Sequence, residues 1–249
     1  MIICKSAIEL EKMRRAGLLV WELLQELKSM ARPGISTLEF ERVAEQRIAE
    51  RGARPAFKGL YNYPCVLCTS VNEEIVHGIP SAKKVLRDGD ILKIDVGVKV
   101  EGYYGDSAIT VPVGQISPAL QQLLRVTEES LYAAIDRVRL GARVGDVSAA
   151  VEQYVAPYGY SVVRDFVGHG IGSQLHEEPK VPNYGPPGHG ARLKEGMVLA
   201  IEPMVNTGKS ASRILRDQWT AVTEDGGYSA HFEHCVVVTG NGPWILTRP

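Results

Sequence analysis

No stretch of this chain approaches the roughly 18–20 consecutive apolar residues that a membrane-spanning helix needs, so a helical membrane protein is excluded. The first eleven residues carry charge from Lys5 onward and have no apolar core of a secretory signal, which makes the cytoplasm the expected location. Cysteine is scarce, with Cys4, Cys65, Cys68 and Cys235 the only four. Four thiols in a chain this long do not read as a disulfide framework. Cys65-x-x-Cys68 has neither the further ligands of a structural zinc site nor the setting of a redox motif, so both read as small apolar residues. Net charge is missing too. The 28 Lys+Arg and 29 Asp+Glu leave a formal charge of −1, and such a chain exerts no bulk attraction on nucleic acid or an anionic membrane. Neither is expected as a partner.

What is present is an ordinary globular composition, 45% hydrophobic and 23% charged in 249 residues, enough to bury a sizeable core. The chain also repeats itself. Gly34, Glu45-Gln46 and Gly52 recur 107 residues later as Gly141, Glu152-Gln153 and Gly159. The same offset carries Gly89 to Gly196 and Ile91–Asp95 onto Val198–Glu202. One offset serving both a helical and a strand segment implies two similar halves, about 1–115 and 116–249, packed around a shared core as one catalytic domain. A solenoid needs three or more repeats.

Each half reads as two helices followed by strands. Ser6-x-x-Glu9 is a capping box ahead of apolar residues at helical spacing: Met13, Ala16, Val20, Leu23, Leu24 and Leu27. Arg32-Pro33-Gly34 ends that helix, and Ser36-x-x-Glu39 reads as a second capping box. Ser117-Pro118 supplies an N-cap and a proline at the first helical position, and Asp146 is a candidate cap for the next helix. Val66–Thr69, Ile91–Val98, Tyr104–Val111, Val198–Val205 and Phe232–Thr239 read as strands. The expected fold class is α+β, helices covering a curved, mostly antiparallel sheet.

The chemistry concentrates on acidic residues in apolar strands. Asp95 and Asp106 are symmetric about position 100.5, next to the turn signal Glu101-Gly102, so a hairpin there is expected to set them opposite each other, about 4.5–5.5 Å apart at Cβ. Two such carboxylates repel, and one stays protonated unless a cation lies between them. A solvated hairpin face is the bland reading, but Ile91, Leu92, Ile94 and Val96 mark a buried setting and favour a metal. Glu202, the repeat partner of Asp95, follows the apolar run Met197–Ile201, and Glu233 precedes Cys235–Val238. Ion pairs could satisfy either glutamate taken alone. His169 lies in Gly168-His169-Gly170, whose glycines are read as allowing a tight turn that leaves the ring accessible. His189, also between glycines, reads as a solvated loop residue. Four carboxylates and one imidazole suit two first-row divalent ions. Two ions about 3.5–4 Å apart activate water and polarise a carbonyl, which implies amide hydrolysis.

In this order and spacing, Asp95, Asp106, His169, Glu202 and Glu233 resemble the ligand set of the pita-bread metallopeptidases. Within that group Thr69–Pro80, Gly168–Gly172, His176-Glu177-Glu178-Pro179, Ile201-Glu202-Pro203 and Phe232-Glu233-His234 resemble the type I methionine aminopeptidases, in their short bacterial form. The likeness spans nearly the whole chain. It implies a pseudo-twofold pita-bread fold and a cytoplasmic monomer that removes the initiator methionine from nascent chains with a small second residue, with the ribosome as a candidate partner. It implies two divalent ions (Co, Mn, Fe, Zn or Ni), bridged by Asp106 and Glu233, with Asp95 completing one and His169 and Glu202 the other. Glu202 would also be the base, His176 would stabilise the tetrahedral intermediate, and His77 would contact the scissile bond. Phe57, Tyr63, Cys68, Leu175 and Trp219 would line a methionine pocket; aromatics and a thiol suit a thioether. Taken without the resemblance, His77 reads as a loop histidine and each pocket residue as core. His231 shares a strand face with Glu233 but is not read as a ligand. A non-catalytic binding scaffold of the same fold, or an X-Pro peptidase, are the competing readings. The full ligand set and near-zero charge disfavour the first. The start directly at the first helix, without a preceding domain, disfavours the second.

Overall fold

The computed structural model describes residues 1–249. In the first half, α1 (Ala7–Met30) and α2 (Thr37–Glu50) precede β1 (Arg54–Pro55), β2 (Leu67–Val71), β3 (Glu74–Val76), β4 (Ile91–Val100) and β5 (Tyr103–Pro112). In the second, α3 (Pro118–Ile135) and α4 (Val144–Val155) precede β6 (Ser161–Val162), β7 (Gly168–Gly170), β8 (Glu177–Val181), β9 (Val198–Ile201) and β10 (Met204–Asn206). There follow β11 (Ser212–Ile214), β12 (Ala221–Thr223), β13 (Ser229–His231), β14 (His234–Thr239) and β15 (Gly242–Ile245). Every strand pairing is antiparallel. The α+β architecture read from the sequence is the one observed.

The helices begin where their caps dictate, with two exceptions. Ser6 N donates to Glu9 Oε2 at 2.7 Å while Ser6 Oγ accepts from Glu9 N, closing the capping box of α1. Ser117 Oγ accepts from Leu120 N and Pro118 opens α3. Ser36, however, makes no side-chain cap. Its backbone is held in a β-bridge to Val85, and Thr37 ties the helix start to Ser81 instead. Asp146 is the third residue of α4 rather than its cap, and its carboxylate reaches back to Arg143 N at 2.8 Å. The six apolar residues predicted for the inner face of α1 are all buried; at about 1.5–3 kcal/mol for each large side chain, that stripe holds α1 against β4 and β5.

Each half has its own apolar core, and a third cluster joins Met13 and Ala56 of the first half to Ile171, Val198 and Val237 of the second. Leu23, Leu27, Phe40, Leu92 and Ile94 belong to the first; Leu123, Val147, Leu199 and Val236 belong to the second. Polar contacts knit the halves together at β5 and β13–β14. Glu233 N donates to Ala108 O at 2.9 Å, Ser107 Oγ to Glu233 O at 2.5 Å, and Thr110 Oγ1 to His231 O at 2.6 Å. Lys93, only 1% exposed, donates to Asn72 O and Ser229 O, one carbonyl from each half. The seam between the halves is therefore tied by one backbone hydrogen bond and by side chains donating to backbone carbonyls, and the acidic residues stand on it.

Candidate metal centre

The two aspartates are not directly opposed. The hairpin turns at Glu101-Gly102, both in left-handed backbone (φ 49° and 88°), as a two-residue type I′ connection requires. That turn centres the ladder one position beyond 100.5. Asp95 therefore pairs with Ala108 and Asp106 with Gly97, which corrects the expected register. The carboxylates are diagonal neighbours and still share a face, because Asp95 and Gly97 are two residues apart.

Glu202 and Glu233 stand in a gap. Ile201 pairs with His234 and Met204 with His231 in one common register, so the missing rungs would set Glu202 opposite Glu233 and Pro203 opposite Phe232. Pro203 has no N–H to give to a ladder. The strand expected over Val198–Val205 is interrupted here, and the one expected over Phe232–Thr239 starts two residues later, so Glu233 precedes β14 rather than lying within it.

His169 sits at the centre of β7, beside Ala200 of β9. Its glycine neighbours do not make a turn. A Cβ on Gly168 would overlap Ala200 O, and one on Gly170 would overlap Glu178 O, so the glycines let three strands pack closely around the imidazole. His169 Nδ1 lies 2.8 Å from Gly170 O. A carbonyl only accepts, so Nδ1 carries the proton and Nε2 presents its lone pair, 3.7 Å from Glu202 Oε1. An orienting hydrogen bond of this kind is what a metal-binding histidine needs.

Ligand atoms of Asp106, His169 and Glu233 lie within 4.8 Å of one another. Asp95 Oδ1, Asp106 Oδ1 and Glu233 Oε1 are buried without any hydrogen-bond partner. Buried polar groups are almost always paired, and unit charges about 4 Å apart repel by roughly 4 kcal/mol at an effective dielectric of about 20. Burial, then the charge of Asp106, holds the Asp95 carboxyl well above the usual range. Burial pushes Asp106 up to about 7. Burial raises Glu202 well above its usual value, as do Asp95 and Asp106, and Glu233 is raised by burial and then by the other three. Burial lowers His169 to about 4, so its ring is neutral. Orphaned oxygens, mutual repulsion and an oriented neutral imidazole are together what a divalent cation resolves. The donor set fits one or more such ions.

His231 adjoins the cluster, with Nε2 3.7 Å from Glu202 Oε2, both ring nitrogens unpartnered, and burial lowering it to about 3. His176 packs edge-on against His169, ring centroids 4.5 Å apart. His77, in left-handed backbone (φ 60°), meets Phe166 and Trp219 edge-on. Desolvation lowers both, His77 to about 4. His189 is exposed in its loop, as read from the sequence.

A cavity of about 220 Å³ ends on this cluster. Phe57, Tyr63, Cys68, Leu175 and Trp219 all line it, with Leu60 and Tyr61. Tyr63 is fixed by its hydroxyl, which donates to Leu67 O and Gly78 O, and Trp219 stands edge-on to it. Cys68 pairs with Asp95 across β2 and β4, so pocket wall and acidic cluster share one rung. All four cysteines are free thiols. A wider mouth of about 660 Å³ adjoins, sharing His77, Asp95, His169, His176 and Glu202 and edged by Phe166 and Gln174. Tyr61 and Phe166 escaped the sequence reading. The one available signal for Tyr61 was the clustering of Phe57, Tyr61 and Tyr63 around Gly59.

The profile described as "Metallopeptidase family M24" matches residues 11–240. The chain is 53% identical over 248 residues to methionine aminopeptidase 1 of Bacillus subtilis (strain 168), covering 100% of both chains. It superposes on the crystal structure of methionine aminopeptidase from Thermotoga maritima with a TM-score of 0.98 at 45% identity, again over 100% of each. The prolidase from Pyrococcus furiosus, at 23% identity and TM-score 0.80, with 99% of this chain and 66% of that one covered, shares the fold. The chain belongs to metallopeptidase family M24, and within it to the methionine aminopeptidases. It is an aminopeptidase that depends on divalent metal, and its fold is the pita-bread fold of that family.

Proposed function

We infer that this chain acts in the cytoplasm, as a single catalytic domain and a monomer, removing the N-terminal methionine from nascent proteins whose second residue is small. The observation that carries this reading is one pocket, walled by Phe57, Tyr63, Cys68, Leu175 and Trp219, ending on the five convergent side chains Asp95, Asp106, His169, Glu202 and Glu233. Its volume of about 220 Å³ is below the usual range of about 300–1,000 Å³ for whole-ligand sites. It suits one side chain rather than a dipeptide. An unbranched thioether among aromatics and a thiol makes favourable contacts there.

Asp95, Asp106, His169, Glu202 and Glu233 would together hold two divalent ions; cobalt, manganese, iron, zinc and nickel all suit these donors. Bound there, the ions would acidify water and polarise the methionyl carbonyl. The chain's own groups do the rest. Glu202 takes the proton of the attacking water at a carboxylate oxygen as that water's oxygen adds to the carbonyl carbon. His176, neutral because it is desolvated, donates a hydrogen bond to the oxygen on which charge develops. His77 contacts the scissile amide. As the C–N bond breaks, the proton held on Glu202 passes to the departing amine, leaving free methionine and a shortened chain.

Hydrolysis of Met-Ala-Ser, Leu-Ala-Ser and Met-Leu-Ser by metal-stripped protein, with divalent ions added back, tests this. Methionine is expected from Met-Ala-Ser alone, and only with metal. Equal cleavage of Leu-Ala-Ser would remove the pocket from the account, and no cleavage with any ion would remove the reaction.

A further inference from the structure

Lys5 and Glu177 form an ion pair of 2.6 Å whose side chains are 3% and 4% exposed. The next most buried lysine pair, Lys84–Glu74, is 26% and 12% exposed. Burying two charges costs several kcal/mol per ion, and a well-packed apolar pair is often as stable or more so. Stability alone does not account for this pair.

Its position does. Glu177 directly follows His176, whose ring makes no hydrogen bond to protein and is held by packing on His169 (4.5 Å) and Tyr61 (6.3 Å). The turn leading to His176 is closed by Gly172 N donating to Gln174 O at 3.0 Å and Gln174 N to Glu177 Oε1 at 3.2 Å. The other carboxylate oxygen, Oε2, takes the Lys5 ammonium. Lys5 is anchored in turn, its N–H donating to Gly196 O at 2.7 Å and its Nζ to Ile3 O at 3.0 Å. Gly172 lets the lysine thread past, since a Cβ there would overlap Lys5 Cε and Glu177 Oε1. The segment ahead of α1, in the first half, thus grips the loop that carries His176 in the second.

We propose that the Lys5–Glu177 pair is a clasp that positions the His176 ring over the scissile carbonyl, making Lys5 and Glu177 positioning residues. The proposal rests on the reading of His176 as the donor to the developing oxyanion. A misplacement of about 1 Å costs up to about 10²-fold in rate.

The test uses the full chain reconstituted with metal and assayed on Met-Ala-Ser. Lys5→Met is expected to lower kcat about tenfold with KM within about twofold, Lys5→Arg to restore most of it, and His176→Ala to lower kcat about 10²-fold. Added to His176→Ala, Lys5→Met is expected to change kcat by less than about twofold, because coupled residues are not additive. Lys5→Met leaves a buried carboxylate unpaired, so the double variant Lys5→Met/Glu177→Met serves as control. It removes both charges, and its thermal midpoint is expected to match the parent while kcat stays low. Parental kcat in Lys5→Met, or in the double variant, overturns the clasp. An equal loss in the His176→Ala background also overturns it, as a structural effect unrelated to His176. Parental kcat in His176→Ala itself sinks the reading of His176, and the clasp with it.

Discussion

The two halves of the molecule solve one problem differently. In the first, Asp95 and Asp106 project from an unbroken hairpin of two ten-residue strands whose two-residue turn fixes the register. In the second, the related pair stands in a break, Glu202 before Pro203 and Glu233 after Phe232, with β9–β14 on one side and β10–β13 on the other. The offset between the halves is 107 residues at Asp95/Glu202 but 127 at Asp106/Glu233. The 20 extra residues correspond to the excursion through β11 and β12 that brings Trp219 to the pocket. A regular strand holds a short carboxylate rigidly. A broken ladder with the longer glutamate side chain leaves room for an acid that must both hold a metal and move a proton. The copy freed from regular pairing is the one assigned the second task.

That assignment predicts that Asp95→Asn and Glu202→Gln fail in different ways. Both are expected to weaken metal binding, since each removes a charged ligand, but Glu202→Gln is expected to keep kcat about 10²–10⁴-fold low, the usual contribution of a general base, even when excess ion restores the bound metal. Asp95→Asn is expected to recover activity as ion is raised. Elemental analysis alongside kcat distinguishes them, and identical behaviour would erase the asymmetry between the halves.

A smaller effect tests the charge balance of the cluster. Burial raises Asp106 to about 7, and burial with mutual repulsion raises Asp95, Glu202 and Glu233 well above the usual carboxylate range. An acid with a raised pKa must release its proton before a cation can bind, so affinity rises with pH and falls as pH drops through 7. The expected slope is about tenfold per pH unit for each proton displaced. Calorimetric titration with Mn²⁺ in two buffers of different ionisation enthalpy reads the proton count directly. Binding without proton release at pH 6.5 would contradict the placement of these carboxylates.

Much of this was legible in the chain, for physical reasons. The 107-residue repeat, the α1 stripe and the Ser6 and Ser117 caps are local patterns, and local physics preserves them. Acidic residues in apolar runs marked the centre because water cannot solvate them there. The misreadings arose where long-range packing decides. Turn chemistry at Glu101-Gly102 moved Asp95 and Asp106 from opposed to diagonal. Pro203 cut one predicted strand, and the strand opposite it starts two residues late. The glycines around His169 serve close strand approach, which depends on where β8 and β9 bring Glu178 and Ala200. The pocket wall was visible only through family resemblance, because Phe57, Cys68 and Trp219 converge from separate loops and strands, and Tyr61 and Phe166 were missed for the same reason.

The most direct test is anomalous diffraction from crystals of the full chain soaked in Mn²⁺. The account predicts two peaks, about 3.5–4 Å apart, both bordered by Asp106 and Glu233, one by Asp95 and the other by His169 and Glu202. A single peak away from Asp106 and Glu233, or none within reach of the five side chains, would contradict it.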